Sequence, residues 1–106
     1  MDYKHIQLCL RNCRFTDHAR SEMESESLGL IHIDELLEAL ESGEIIEDYP
    51  DDKPYPSCLI FGRAESGRPL HIVCAPVLDE TLLIVITTYE PDPSKWEADL
   101  KKRKRL

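Results

Sequence analysis

Two neighbouring stretches decide the fold: Pro69-Leu70-His71-Ile72-Val73-Cys74-Ala75-Pro76-Val77-Leu78, and Thr81-Leu82-Leu83-Ile84-Val85-Ile86-Thr87-Thr88-Tyr89-Glu90. Each is rich in β-branched and aliphatic residues, and only Asp79-Glu80 separates them, so they read as adjacent antiparallel strands. Alternation puts Leu70, Ile72 and Cys74 on one face and His71, Val73 and Ala75 on the other. In the second strand Leu82, Ile84 and Ile86 oppose Leu83 and Val85. A strand with one wet face alternates apolar with polar. These strands do not, so both faces of the sheet should be covered: one by a helix, the other by an N-terminal helix or a second subunit.

Working upstream, Ser57–Ala64 reads as a partner strand, with Ser66-Gly67 as its turn. Pro50 to Pro56 holds three prolines and must be a loop. Glu44–Tyr49 reads as the first strand. Before it the apolar period changes to the helical one. Ile33, Leu36, Leu37 and Leu40 fall at i, i+3, i+4 and i+7, with Asp34 and Glu35 at the positive end and Gly43 as a stop. Thr16 and Asp17 are N-caps for a second helix ending near Ser25. Tyr3, Ile6, Leu10 and Cys13 suggest a short first helix over Asp2–Asn12, although Ile6, Leu8 and Leu10 also alternate as in a strand. The expected architecture is α+β: two to three N-terminal helices, then a four-stranded antiparallel sheet.

With 106 residues the chain is the size of one domain, spanning 1–106, with a basic tail at about 101–106. No apolar run approaches the roughly 20 residues of a membrane helix. The N-terminus lacks the features of a signal peptide, so a cytoplasmic protein is expected. The formal net charge is −8, which argues against a surface that coats nucleic acid throughout. The acid excess lies in residues 1–53, with 14 acidic and 5 basic side chains; residues 54–106 hold 7 acidic and 8 basic. Five of those bases form the run Lys101–Arg105, a solvated tail or a contact for RNA phosphates or an acidic protein.

Four cysteines occur. Cys58 and Cys74 lie in apolar runs and read as small core residues. Cys9 and Cys13 could share a helix face as half a zinc site, but no second pair has matching spacing. No cofactor or metal is expected.

The candidate site residues are few. His71 interrupts an apolar strand: either a hydrogen-bonded structural histidine or a general acid–base. His18 sits in the first turn of a helix, where the ring stays neutral and can accept a proton, or it simply packs at the surface. Arg63 and Arg68 flank the first hairpin turn, and arginine can clamp phosphate. Tyr89 ends the last strand, where its hydroxyl could orient a phosphate or ribose or point into water. Trp96 reads as a core anchor. Two-residue hairpins would place Gly62, His71 and Thr88 on one face, and Arg63, Leu70 and Tyr89 on the other.

Several blocks together carry a family resemblance: Phe15-Thr16-Asp17-His18-Ala19, Gly43-Glu44-Ile45-Ile46-Glu47-Asp48-Tyr49-Pro50, Tyr55-Pro56-Ser57-Cys58-Leu59, Gly62-Arg63, Gly67-Arg68-Pro69-Leu70-His71-Ile72-Val73, and Tyr89-Glu90-Pro91-Asp92 before Trp96. In order and spacing the chain resembles the bacterial DUF4258 family, which is similar to the RelE/ParE-like toxins. The resemblance implies a helix-plus-antiparallel-sheet fold and a toxin partnered by a small zinc-finger antitoxin. It also implies a metal-independent endoribonuclease acting on free or ribosomal RNA. It implies His18 and His71 as acid–base candidates, Arg63 as phosphate stabiliser and Tyr89 as a positioning residue. The chain departs from the pattern at Glu22 and Glu26, where many relatives carry arginines, and in its acidic balance. The rival expectation is a non-catalytic interaction module on the same fold, dimeric or binding an antitoxin-like partner.

Overall fold

A computed structural model describes residues 1–105; Leu106, the last residue of the expected tail, lies outside the described residues. The elements are α1 (Tyr3–Cys9), β1 (Cys13–Phe15), α2 (Asp17–Ser25), α3 (Ile33–Glu41), β2 (Glu44–Tyr49), β3 (Ser57–Arg63), β4 (Pro69–Val77), a 3₁₀ turn (Leu78–Glu80) and β5 (Leu82–Tyr89). The α+β class holds, but the sheet has five strands in the order β1-β5-β4-β3-β2, and β1 runs parallel to β5. The expected four-stranded, wholly antiparallel sheet is thus corrected. Three residues are too few to show an alternation, and Cys13 had been assigned to a helical stripe. The first helix stops at Cys9, so Cys9 and Cys13 sit in different elements.

Helix starts follow their caps. The Thr16 hydroxyl accepts from the Ala19 amide at 3.0 Å and donates to the Ile86 carbonyl at 2.9 Å, joining the start of α2 to β5. The Glu35 carboxylate accepts from the His32 amide at 3.1 Å at the start of α3. Helices of seven to nine residues do not persist alone; packing holds these in place. Ile6 and Cys9 of α1, Ala19 and Met23 of α2, and Leu36, Ala39 and Leu40 of α3 form one core with Cys58, Ile60, Leu70, Ile72, Cys74, Leu83 and Val85. Each large aliphatic side chain buried this way contributes about 1.5–3 kcal/mol. All three helices therefore cover the same sheet face. The expectation that α1 covers the other face is corrected: α1 packs in the same core as α2 and α3, and residues 93–105 fold back over part of the other face, described below.

The register also departs from expectation, for two identifiable reasons. The first hairpin closes through three residues, Glu65-Ser66-Gly67, with Ala64 N–H bonded to Arg68 O at 3.0 Å and Gly67 at φ +92°. This slips the pairing by one, so Phe61 opposes His71 and Gly62 opposes Leu70. The second hairpin starts in the expected register, Val77 opposite Leu82. A β-bulge at Ile86 then shifts it, and Tyr89 comes to oppose His71. A second bulge, between Ile45 and Glu47 in β2, places Glu44 and Glu47 opposite Phe61 and Leu59. All four therefore share the face that the helices leave open.

Gly62 and Gly43 are set by close approach. A Cβ on Gly62 would lie 1.9 Å from the Ala39 carbonyl oxygen and 2.7 Å from its carbon; on Gly43 it would lie 2.6 Å from Ile60 Cγ2. Gly43 is thus a packing residue rather than a left-handed helix stop. Because Ala39 presents backbone, it cannot swing aside. Gly62→Ala is predicted to cost at least about 2 kcal/mol, read as a lowered urea midpoint. Gly67→Ala, which has open space but a left-handed backbone, should cost about 1–2 kcal/mol. An unchanged midpoint in Gly62→Ala would show that α3 is not seated on β3.

Candidate functional site

The slipped register brings Arg63, His71 and Tyr89 to one sheet face, across the adjacent strands β3, β4 and β5. The sequence had expected Arg63 and Tyr89 opposite to His71. His71 is fully buried in this face. Its Nδ1 lies 3.2 Å from the Tyr89 hydroxyl and its Nε2 lies 2.7 Å from the Leu100 carbonyl. A carbonyl can only accept, so Nε2 carries the hydrogen, and Nδ1 accepts from Tyr89. Three rings meet the imidazole edge-on: Phe61, Tyr89 and, closest, Trp96 at 4.4 Å between centroids. The Thr88 hydroxyl donates to the His71 carbonyl at 2.9 Å from the other side of the strand. Burial holds the His71 pKa below its usual 6.5, against the opposing pull of the Leu100 carbonyl and Glu47. Burial likewise raises the Tyr89 hydroxyl. Both groups are neutral near pH 7.

The cover is the C-terminal segment. Asp92 O receives Lys95 N–H and Trp96 N–H, and the chain then doubles back, with Trp96 bridged to Arg103. Glu97 N–H donates to Lys102 O at 2.8 Å and Lys104 N–H to Lys95 O at 2.9 Å, which closes a small hairpin. At its tip Leu100 adopts φ +61°, an uncommon backbone for a leucine, and presents its carbonyl to His71. Trp96 is 3% exposed. The Arg103 guanidinium stacks 4.7 Å above the indole and forks onto Glu47 at 2.9 and 3.0 Å. Glu47 also receives the Tyr49 hydroxyl, and the arginine bonds hold its carboxyl below the usual range. Lys101 reaches Glu44 at 2.6 Å. Two of the five basic tail residues are thus spent on β2 carboxylates.

The other expected residues fall elsewhere. His18 lies on α2, exposed, with Nε2 2.8 Å from Glu22 Oε1; it does not join His71. Arg63 is exposed at the rim, its Nη1 donating to Gly67 O at 3.0 Å and its guanidinium over the Phe61 ring. Arg68 is a structural tie: it donates to Glu90 at 2.6 Å, Glu35 at 3.1 Å and Leu30 O at 2.9 Å, and also to Gly29 O. It binds the α2–α3 connection to the β3–β4 turn and the end of β5. A cleft of about 590 Å³ opens beside Tyr89, between Glu26 and Leu28 of the α2–α3 connection and Lys95, Trp96 and Arg103 of the cover. Sequence reasoning passed over Glu47, Leu100 and Arg103 as site residues. The available signal was the acidic strand carrying Glu44 and Glu47, with a matching basic run at the other end of the chain.

The His71 burial has a pH consequence. In the unfolded chain the imidazole returns to about 6.5, so between that value and the lower folded pKa the unfolded state binds more protons. Stability from this group is complete above about pH 6.5 and declines as the pH falls through that window. We predict a higher Tm at pH 7 than at pH 5.5 in thermal melts at fixed ionic strength. His71→Gln, less stable throughout, should lose most of that slope; a slope equal to that of the native chain would remove His71 as its source.

None of the helices among the described residues is long and apolar enough to cross a membrane. No curated protein and no solved structure matches the chain. Residues 15–90 match the family described as Domain of unknown function (DUF4258), a span that runs from the end of β1 past β5 and takes in His18, Arg63, His71 and Tyr89. The match covers most of the chain and every strand of the candidate face, and on that basis the chain belongs to the DUF4258 family.

Proposed function

We propose that this protein is a toxin-type member of a two-protein pair, similar in kind to RelE/ParE-like toxins. In this reading its working surface is the sheet face bearing Arg63, His71 and Tyr89, its substrate is RNA, free or on the ribosome, and its partner in the bacterial cytoplasm is a small antitoxin. The observation that carries the reading is the convergence of those three residues on one face through two register shifts. An imidazole can act as base, an arginine can stabilise phosphoryl charge and a phenol can position an oxygen in cleavage by the neighbouring 2′-hydroxyl. With Nδ1 carrying the hydrogen and donating it to the Tyr89 oxygen, His71 takes the 2′-hydroxyl proton on Nε2, the nitrogen that faces the Leu100 carbonyl in this structure. The 2′-oxygen bonds to phosphorus as the bond to the 5′-oxygen breaks, leaving a 2′,3′-cyclic phosphate. Arg63 supplies two N–H donors to the charge that builds on the phosphoryl oxygens, and Tyr89 positions one of those oxygens. The leaving 5′-oxygen takes its proton from water, because His18 is in the helical layer. The step uses side chains and solvent alone.

A second reading, a non-catalytic interaction module, is favoured by a different observation. Both nitrogens of His71 are spent inside the molecule, and His18 is paired with Glu22. In that case the acidic helical half is the working surface.

Expression in a bacterial host separates the two. The nuclease reading predicts slowed growth and RNA fragments ending in 2′,3′-cyclic phosphate. Arg63→Gln should reduce cleavage by about 10²–10³-fold, the usual effect of losing one transition-state donor. Normal growth and intact RNA in cells that accumulate folded protein would favour the module.

A further inference from the structure

We infer that the C-terminal hairpin, residues 95–104, is an autoinhibitory strap, shut over the Arg63–His71–Tyr89 face by the Glu47–Arg103 and Glu44–Lys101 ion pairs. The inference rests on the nuclease reading and adds its regulation. Trp96 lies 4.4 Å from the His71 ring centroid, so the indole fills the space that a ribose and phosphate would need above the imidazole. The Leu100 carbonyl holds the Nε2 hydrogen of His71, and the Tyr89 hydroxyl is turned to Nδ1. In the shut form the proposed base therefore has no nitrogen free for substrate. Arg63 stays exposed at the rim, as if waiting for a phosphate that cannot reach the rest of the site.

The strap is built to open. Its hairpin consists of one isolated bridge and a few backbone hydrogen bonds, without a regular strand. Its tip residue, Leu100, is held in the left-handed region, a conformation that the shut contacts must sustain. Its electrostatic anchors are exposed: the side chains of Arg103 and Lys101 are 61% and 42% accessible. Ion pairs of this kind hold weakly and are screened by salt. Opposite them stand only two carboxylates, brought to this face by the β2 bulge. Lys102, Lys104 and Arg105 make no ion pair among the described residues. Release would therefore expose the site and add Lys101 and Arg103 to three cations that are already unpaired among the described residues. Such a run of cations is an electrostatic footprint for a phosphate backbone.

The chain has one tryptophan, so Trp96 fluorescence reports the strap directly. The test uses the full chain, a Lys101→Glu/Arg103→Glu variant that sets like charges against Glu44 and Glu47, and that variant with Glu44→Lys and Glu47→Arg added to restore opposite charges. Emission wavelength, acrylamide quenching and cleavage of a single-stranded RNA oligonucleotide are measured on each. The expected result is a red-shifted, quenchable Trp96 and cleavage at least 10-fold faster in the reversed variant, with both returned to native values by the restored one. Glu47→Gln, which leaves the cations intact, should move both readings the same way by less, and it serves if the reversed variant does not fold. Trp96 remaining buried after charge reversal would overturn the anchoring role of the ion pairs. Exposed Trp96 with cleavage equal to that of the native chain would overturn the inhibitory role and leave the nuclease reading standing. Exposed Trp96 with no cleavage by any form would overturn the nuclease reading, and the inhibitory role with it.

Discussion

A neutral imidazole buried in an apolar sheet face must find one donor and one acceptor, because each unsatisfied ring nitrogen would cost about 1–3 kcal/mol. Much of this structure answers that demand. The bulge at Ile86 turns the last part of β5 so that Tyr89 opposes His71 and donates to Nδ1. The left-handed backbone at Leu100 turns a carbonyl to Nε2. Trp96 and Phe61 exclude water around the ring. No buried side-chain nitrogen or oxygen among the described residues is left without a partner. His71 is thus the point where β4, β5 and the C-terminal segment meet.

Charge is arranged by the same logic. The formal charge of −8 argues against a surface that coats nucleic acid throughout. In three dimensions the basic tail lies against the acidic β2, and two of its cations are neutralised there. Arg68 is likewise consumed by Glu35 and Glu90, where its side chain is largely buried. A buried guanidinium with several well-placed acceptors is costly to disrupt, while the exposed tail pairs are not. The molecule therefore has one strongly tied arginine, which fixes the α2–α3 connection, and one weakly tied basic segment, which is free to be something other than structure.

How much of this was legible depends on the range of the interaction. The Thr16 cap, the Leu36–Leu40 stripe, the Pro50–Pro56 loop and the spans of β2 to β5 follow from neighbours within a few residues, and they appear in the structure with bounds shifted by one residue at most. The three-residue β1 was hidden because so short a strand carries no period. Gly43 looked like a helix stop because a glycine after a helix usually is one; the Ile60 side chain, 17 residues further along the chain and brought against it by the β2–β3 pairing, sets its true role. His71 stands out in the sequence as a polar residue in an apolar strand, but which groups would satisfy it could not be read from residues near it in the chain.

The sequence by itself determined the order from α2 to β5, the double-sided apolar character of β4 and β5, and the separation of acid from base between the two halves. These follow from local periodicity and composition. Only the tertiary structure decided which side chains share a face, because a single-residue slip in one hairpin and one bulge in β5 each invert the alternation. It alone decided that the basic tail folds back on β2, since that contact spans 56 residues of chain and rests on a bulge that no local pattern announces.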